Sequence, residues 1–218
     1  MDLEAERAAV RDLDVDAIAD AIESIGFECT RCGKCCRGLE GEEHTATVFP
    51  GEIRKIQRDD EPEWDAIARP MPFGLTEAED GSTTGETFEW ALQTDACGDC
   101  TFYDDEAGAC SIYDRRPLLC RTYPFSLSVE GDRDEATAAM GDVVDQVGAV
   151  QAHECEGLGR DVSRADAEEL AATLKERAIR ELEEAIGVRE NYEPRAAAGV
   201  VVHDSEGQKR PDGSPLRE

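Results

Sequence analysis

Lysine is almost missing from this chain: 4 lysines and 19 arginines stand against 51 acidic residues, for a formal net charge of -28. A field of that sign repels backbone phosphates, so no nucleic-acid partner is expected without a concentrated basic face, and the sequence offers none. Aromatic residues are scarce at 6%, and Leu, Ile, Val and Phe supply only 41 of 218 positions, just under the roughly 20% below which a highly charged chain struggles to fold on apolar burial alone. A thin core follows. Long apolar runs are absent, which excludes a bilayer-spanning helix and, with it, a membrane partner. Residues 1–7 carry neither a basic stretch nor an apolar one of the secretory kind, so a cytoplasmic location is expected. Also lacking are a Gly-rich phosphate loop, a dinucleotide fingerprint, an HExxH pair and any recognisable nucleophile with its base. The sequence therefore reads as binding rather than catalysis.

What the chain does have is cysteine. Nine are present, four of them as Cys29-x2-Cys32-x2-Cys35-Cys36, followed by Cys97, Cys100, Cys110, Cys120 and Cys155. Two residues between cysteines let one tight turn aim both sulfurs at a common ion, and Gly33 supplies the backbone freedom such a knuckle needs. A disulfide framework belongs to secreted domains and pairs an even number of thiols, so an odd count in a reducing compartment favours metal. Adjacent Cys35 and Cys36 point in different directions from an ordinary backbone. They are expected to serve different sites, or one of them to stand behind the ligands rather than among them, with Cys35 joining the loop and Cys36 as the bridge to the other half of the set.

Charge is inverted beside the sulfurs. Residues 27–38 carry Arg31, Lys34 and Arg37 against Glu28, and residues 110–125 carry Arg115, Arg116 and Arg121 against Asp114. Cations beside thiols favour the thiolate and offset the negative charge of a cysteine-ligated ion. Elsewhere the surplus of carboxylate reads as adaptation to molar salt, where the Debye length is only about 3 Å and self-repulsion is screened. A halophilic, acidic protein is expected.

The fold class expected is a small α+β protein: a cysteine-rich, metal-stapled core with a short β-hairpin or sheet, flanking helices and a C-terminal amphipathic helix. Four segments are expected: an N-terminal helical segment over 1–26, the cysteine-cluster domain over 27–160, a helix packing on it over 161–192, and a disordered tail over 193–218. Asp14 or Asp16 caps a helix over 14–25 that ends at Gly26 and delivers the chain into Cys29. Pro50 opens a helix over 50–58, 59–86 is punctuated as a loop, 87–93 alternates as a strand, and 100–113 forms a hairpin that brings Cys100 and Cys110 together. A helical turn over 114–120 precedes extended chain at 121–125. Ser163 and Asp166 cap a long helix to Ile186, with Gly187 at its end and a stripe of Leu170, Leu174, Ala178, Leu182 and Ile186.

With Cys29-x2-Cys32-x2-Cys35-Cys36, the lone Cys100, the run from Cys110 to Phe125 and Cys155 in this order, the chain resembles the YkgJ-like cysteine cluster family, the CxxCxxCC domain, over about 27–160. The resemblance implies chelation of zinc or iron by Cys29, Cys32, Cys35, Cys36, Cys100, Cys110, Cys120 and Cys155, and it leaves Cys97 outside the pattern. Eight sulfurs satisfy two four-coordinate ions, or one cluster and one ion, and a [4Fe-4S] cluster accepts three sulfurs from one loop with a distant fourth. Arg116 and Arg121, flanking Cys120, are expected to hydrogen-bond ligand sulfur or nearby carbonyls. His153, two residues before Cys155, is a candidate replacement ligand; His44 and His203 read as incidental, solvated side chains. Some members of this family are flagellin lysine N-methylases, so an N-methylase-related enzyme or an iron-sulfur redox protein is the alternative to a non-catalytic metal binder.

Overall fold

The computed structural model describes residues 2–38, 44–57, 62–128, 140–194 and 199–216. In chain order the helices are α1 (Leu3–Asp12), α2 (Val15–Ile25), α3 (Pro50–Ile56), α4 (Trp64–Ile67), α5 (Leu118–Thr122) and α6 (Arg164–Asn191). The strands are β1 (Ala68–Pro70), β2 (Leu75–Glu77), β3 (Thr83–Thr87), β4 (Trp90–Leu92), β5 (Tyr103–Asp104), β6 (Ala109–Cys110), β7 (Phe125–Leu127), β8 (Val143–Val147), β9 (Val150–His153), β10 (Val200–Asp204) and β11 (Gly207–Lys209). The fold is mixed α/β with small sheets and a long C-terminal helix. Two compact units divide it: residues 1–35 with 118–183, and residues 36–117 with 184–218.

The first unit is built on α2. Asp14 caps it by accepting from the Asp16 N–H at 2.9 Å, and spacing by three and four puts Ile18, Ala21, Ile22 and Ile25 on one buried face. That face packs with Phe125 and Val150 of the antiparallel sheet β7-β9-β8 and with Ala167, Ala171 and Leu174 of α6. Each buried Ile or Leu contributes about 1.5–3 kcal/mol of transfer free energy, so these few side chains carry most of the unit's apolar stabilisation. At the start of α6, Ser163 and Asp166 form the expected cap, the Asp166 N–H donating to Ser163 Oγ at 3.2 Å. Gly187 does not stop the helix, which runs on to Asn191; glycine inside a helix costs only about 1 kcal/mol, and here a Cβ would stand 2.7 Å from the Ser205 side chain.

The second unit is strand-rich. Its four-stranded sheet has the order β11-β10-β3-β2, with β10 parallel to β3 and both outer pairs antiparallel. The tail expected to be disordered therefore contains two strands, with Val201 and Val202 almost wholly buried. Three consecutive valines pairing with β3 outweigh the polar composition that surrounds them. The expected loop over 59–86 likewise holds α4, β1, β2 and most of β3, short elements whose polar sequences hide them from pattern reading; residues 58–61 lie outside the described residues, as do 195–198 and 217–218 of the tail. The predicted strand over 87–93 is interrupted after Thr87 and resumes as β4, and the β5–β6 hairpin forms as the turn sequence requires.

Candidate metal centre

Within the first unit, the cysteine knuckle and the Cys155 segment are zipped together by backbone. Glu28 N–H donates to the Gly157 carbonyl at 3.0 Å and Gly159 N–H to the Gly26 carbonyl at 2.9 Å, with Phe27 and Leu158 as a bridge pair between them. The approach is close enough to demand glycine. A Cβ on Gly157 would sit 2.4 Å from the Glu28 carbonyl oxygen, and one on Gly26, at φ 76°, would sit 2.6 Å from that of Arg160. α2 thus ends where the knuckle begins, and the zipper sets Cys29 beside the arm that bears Cys155.

The far end of the knuckle is tied to the same arm by side chains. Lys34 Nζ pairs with Glu156 Oε1 at 2.7 Å, and this pairing holds the Glu156 carboxyl below its ordinary range, with the Cys32 thiol also donating to it. Between the two ties, Arg31 at φ 57° is the sole non-glycine in the left-handed region among the described residues, and Gly33 follows at φ 75°. Left-handed backbone at a residue with a Cβ stores strain, and it turns the peptide so that Cys29, Cys32 and Cys35 all emerge exposed.

Electrostatics report how near these sulfurs are. Burial pushes the Cys155 thiol up; the Gly157 N–H, donating to its sulfur at 3.4 Å, opposes this, and the sulfurs of Cys32, Cys35 and Cys29 add to the rise. Tyr123 is pushed up to about 12 by burial first and then by Cys155, Cys35, Glu154 and Cys32. Its hydroxyl donates to the Glu154 carbonyl at 2.6 Å, a third tie on the arm. Cys29, Cys32 and Cys35 therefore share the charge neighbourhood of Cys155, where their charge disfavours its thiolate. Among the described residues, no three His, Cys, Asp or Glu side chains are gathered so as to hold a metal ion, and a metal-stapled core is not shown. The donor chemistry nonetheless suits a soft cation, whose charge would offset the repulsion among the sulfurs.

In the second unit lie Cys36, Cys97, Cys100 and Cys110. Cys100 N–H donates to the Cys36 carbonyl at 2.8 Å, and the register of the β5–β6 hairpin sets Cys110 opposite Tyr103. Arg37 reaches both the Tyr103 hydroxyl and Asp105 at 3.1 Å, locking the start of this segment to the hairpin. Cys97 is exposed on a turn closed by Asp95, whose carboxylate accepts the Cys97 N–H at 2.7 Å. All nine cysteines are thiols, and the boundary between the units falls between Cys35 and Cys36. Cys120, partly buried in α5, belongs to the first unit.

The remaining candidates sit as follows. Arg116 donates to the Tyr113 carbonyl at 3.0 Å and lies 3.7 Å from the centre of that ring; Arg121 donates to Thr173 Oγ1 at 3.4 Å. His153 is a core histidine, with Nε2 2.9 Å from Ser126 Oγ and Nδ1 2.9 Å from the Gly141 carbonyl. Both ring nitrogens are engaged, which removes it as a replacement ligand; burial lowers its pKa, with Arg177 adding to the effect. His44 and His203 are buried rather than solvated. Glu156 and Gly159 of the arm are not singled out by sequence pattern. Cys155-Glu156-Gly157 has the form of a knuckle in its own right, a signal that points to Gly157, but one Glu among 51 acids carries none.

Comparison with known families decides the grouping. A family model described as a putative zinc- or iron-chelating domain matches residues 28–156, more than half of the sequence. The chain belongs to the CxxCxxCC family. No curated protein and no solved structure matches it. The matched span opens at the zipper and closes at Glu156, so this CxxCxxCC domain includes both the knuckle and the sulfur that the zipper sets beside it. No described helix is long and apolar enough to cross a membrane.

Proposed function

We propose that this CxxCxxCC protein binds zinc or iron as a non-catalytic chelator, with Cys29, Cys32, Cys35 and Cys155 as the donors of a centre in the first unit. The observation that carries this reading is the zipper between residues 26–28 and 157–159, which holds three sulfurs of one loop and a distant fourth in one neighbourhood while the loop itself stays exposed for ion entry. Zinc accepts such a set as four thiolates, and a [4Fe-4S] cluster accepts the same set as three loop ligands plus one. Cys36, Cys100, Cys110 and Cys120 belong to the same chelating function. Arg121, next to Cys120 in the chain, acts as a positioning group through Thr173, and Arg116 does so by bracing Tyr113 after the Cys110 hairpin.

Anaerobic purification followed by elemental analysis and a visible spectrum tests the proposal. Stoichiometric zinc in colourless protein, or iron with labile sulfide and broad visible absorbance, supports it; protein that takes up neither metal overturns it. Cys155→Ser should lose metal from the first unit. Full metal content in Arg121→Ala would remove that residue's positioning role. The setting proposed is a reducing, salt-rich cytoplasm, and stability unchanged on dilution to low salt would reject the halophilic part of it.

A further inference from the structure

Cys97 is the cysteine that the family pattern leaves unassigned, and it opens a second turn of the same make as the knuckle. Cys32-Gly33-Lys34-Cys35 and Cys97-Gly98-Asp99-Cys100 share the sequence Cys-Gly-x-Cys. In both, the glycine is left-handed, at φ 75° for Gly33 and 85° for Gly98, a backbone that lets two sulfurs three residues apart turn toward a common ion. The second turn is closed by its own bonds. Asp95 N–H donates to the Asp99 carbonyl at 2.8 Å and Gly98 N–H to the Asp95 carbonyl at 3.1 Å, while the Asp95 carboxylate accepts the N–H groups of Cys97 and Asp99 at 2.7 and 3.1 Å. Cys97 is exposed in the turn, and Cys100 is buried where the turn closes against Thr94.

Backbone bonds bring the other two cysteines of this unit to that turn. Cys100 N–H donates to the Cys36 carbonyl at 2.8 Å, and Gly38 N–H donates to the Asp99 carboxylate at 2.9 Å, so residues 36–38 run along it. Tyr103 N–H donates to the Cys100 carbonyl at 2.9 Å, and Tyr103 is the register partner of Cys110. A structural zinc takes four protein donors. The boundary after Cys35 leaves the second unit with Cys36, Cys97, Cys100 and Cys110, and the family pattern accounts for all of these but Cys97. Cys120 lies in the first unit, whose proposed centre already has its donors in Cys29, Cys32, Cys35 and Cys155.

We infer that the second unit binds a soft divalent cation such as zinc through Cys36, Cys97, Cys100 and Cys110, with Cys97 as the donor that completes the set. The inference rests on the chelating function proposed above and adds to it a ligand outside the family pattern. The sulfurs are not gathered beforehand; the backbone fixes which segments are neighbours, and the ion draws in the thiols as it binds.

The test uses the full chain, stripped of metal under reducing, anaerobic conditions and reloaded with zinc or with cobalt(II). Wild type should take up about two ions per chain, one for each four-sulfur set. Cys97→Ser and Cys110→Ser should each take up about one, and the two substitutions together should lose no more than either alone, because they empty the same site. Adding Cys155→Ser to Cys97→Ser should remove the remaining ion. Circular dichroism should be unchanged in Cys97→Ser, since the side chain is exposed. Cys97→His should restore cobalt uptake with the visible bands moved to shorter wavelength, because imidazole replaces one thiolate as donor; a turn residue of merely structural value would give no such shift. Ion uptake and a cobalt spectrum that Cys97→Ser leaves unchanged would overturn the inference while the chelating function stands. So would a wild type that takes up only about one ion per chain, or loss of the second ion from Cys120→Ser but not from Cys97→Ser. Wild type that takes up no metal at all would overturn both.

Discussion

The two units meet a shortage of apolar side chains in different ways. The first buries a small apolar cluster and leaves the knuckle exposed, fixed by the zipper at one end and by the Lys34–Glu156 pair at the other. The second closes on buried charge. Lys209 and Asp204, with side chains 7% and 4% exposed, pair at 2.8 Å, the Trp90 indole N–H donates to Asp204 at 2.9 Å, and Lys209 also reaches Glu206 at 2.6 Å. Arg54, and then Lys209, hold Glu206 down at about 2. Trp64 packs edge-on against Trp90 with centroids 5.2 Å apart. Buried charge in the second unit is thus paired with its own side chains, whereas the first unit presents exposed thiols as donors.

Chelator treatment should break the symmetry most. Removing a structural zinc costs on the order of 10 kcal/mol in small domains, so hydrogen exchange should rise sharply at residues 26–35 and 154–160 while 200–209 keep their protection. Equal loss in both units, or none in the first, would end the contrast. Next in size is Asp204→Ala. It leaves the buried ammonium with Glu206 alone and strands an indole N–H, and breaking a buried pair from one side costs about 3–5 kcal/mol, read as a lower urea midpoint. A loss under about 1 kcal/mol, the surface-pair range, would show that the network does not hold the second unit closed. Gly157→Ala, whose Cβ would meet the Glu28 carbonyl at 2.4 Å and the Phe27 ring at 2.9 Å, should cost about 1–3 kcal/mol as an overpacking change and lower metal uptake with it. Unchanged uptake would mean that the zipper does not position Cys155.

How much of this was legible in the sequence follows the same divide. α2, its Asp14 cap and its Gly26 stop could be read from spacing, as could the β5–β6 hairpin and the Ser163 cap of α6, because each is decided by residues within one or two turns of one another. The cysteine pattern led to the family that the match over 28–156 bears out. What stayed hidden depends on distant partners. β10 takes its place from a parallel neighbour more than a hundred residues away in the chain, Lys209 is buried where Asp204 and the Trp64 ring meet it, and His153 is a core residue because Ser126 and Gly141 arrive on other segments. Polarity in sequence cannot separate a solvated side chain from one whose partner comes from elsewhere.

The Lys34–Glu156 pair offers the finest test, because it separates holding an ion from admitting one. Both side chains are largely exposed, at 71% and 50%, and exposed pairs contribute little to stability. Its consequence should therefore be kinetic: the pair ties the far end of the knuckle to the arm, and its opening should loosen the exposed loop around a bound ion. Lys34→Gln or Glu156→Gln should leave metal stoichiometry and unfolding midpoint unchanged while metal transfer to an excess of chelator speeds up by about two- to threefold, the range expected for one exposed pair. Reversing both charges, Lys34→Glu with Glu156→Lys, should restore the slow rate, which neither reversal does alone. In molar salt the wild-type rate should approach that of the neutral variants, since screening then acts within about 3 Å. Identical rates in all variants would show that the pair does not restrain the knuckle and make the exposed face of the first unit simpler than the closed one of the second.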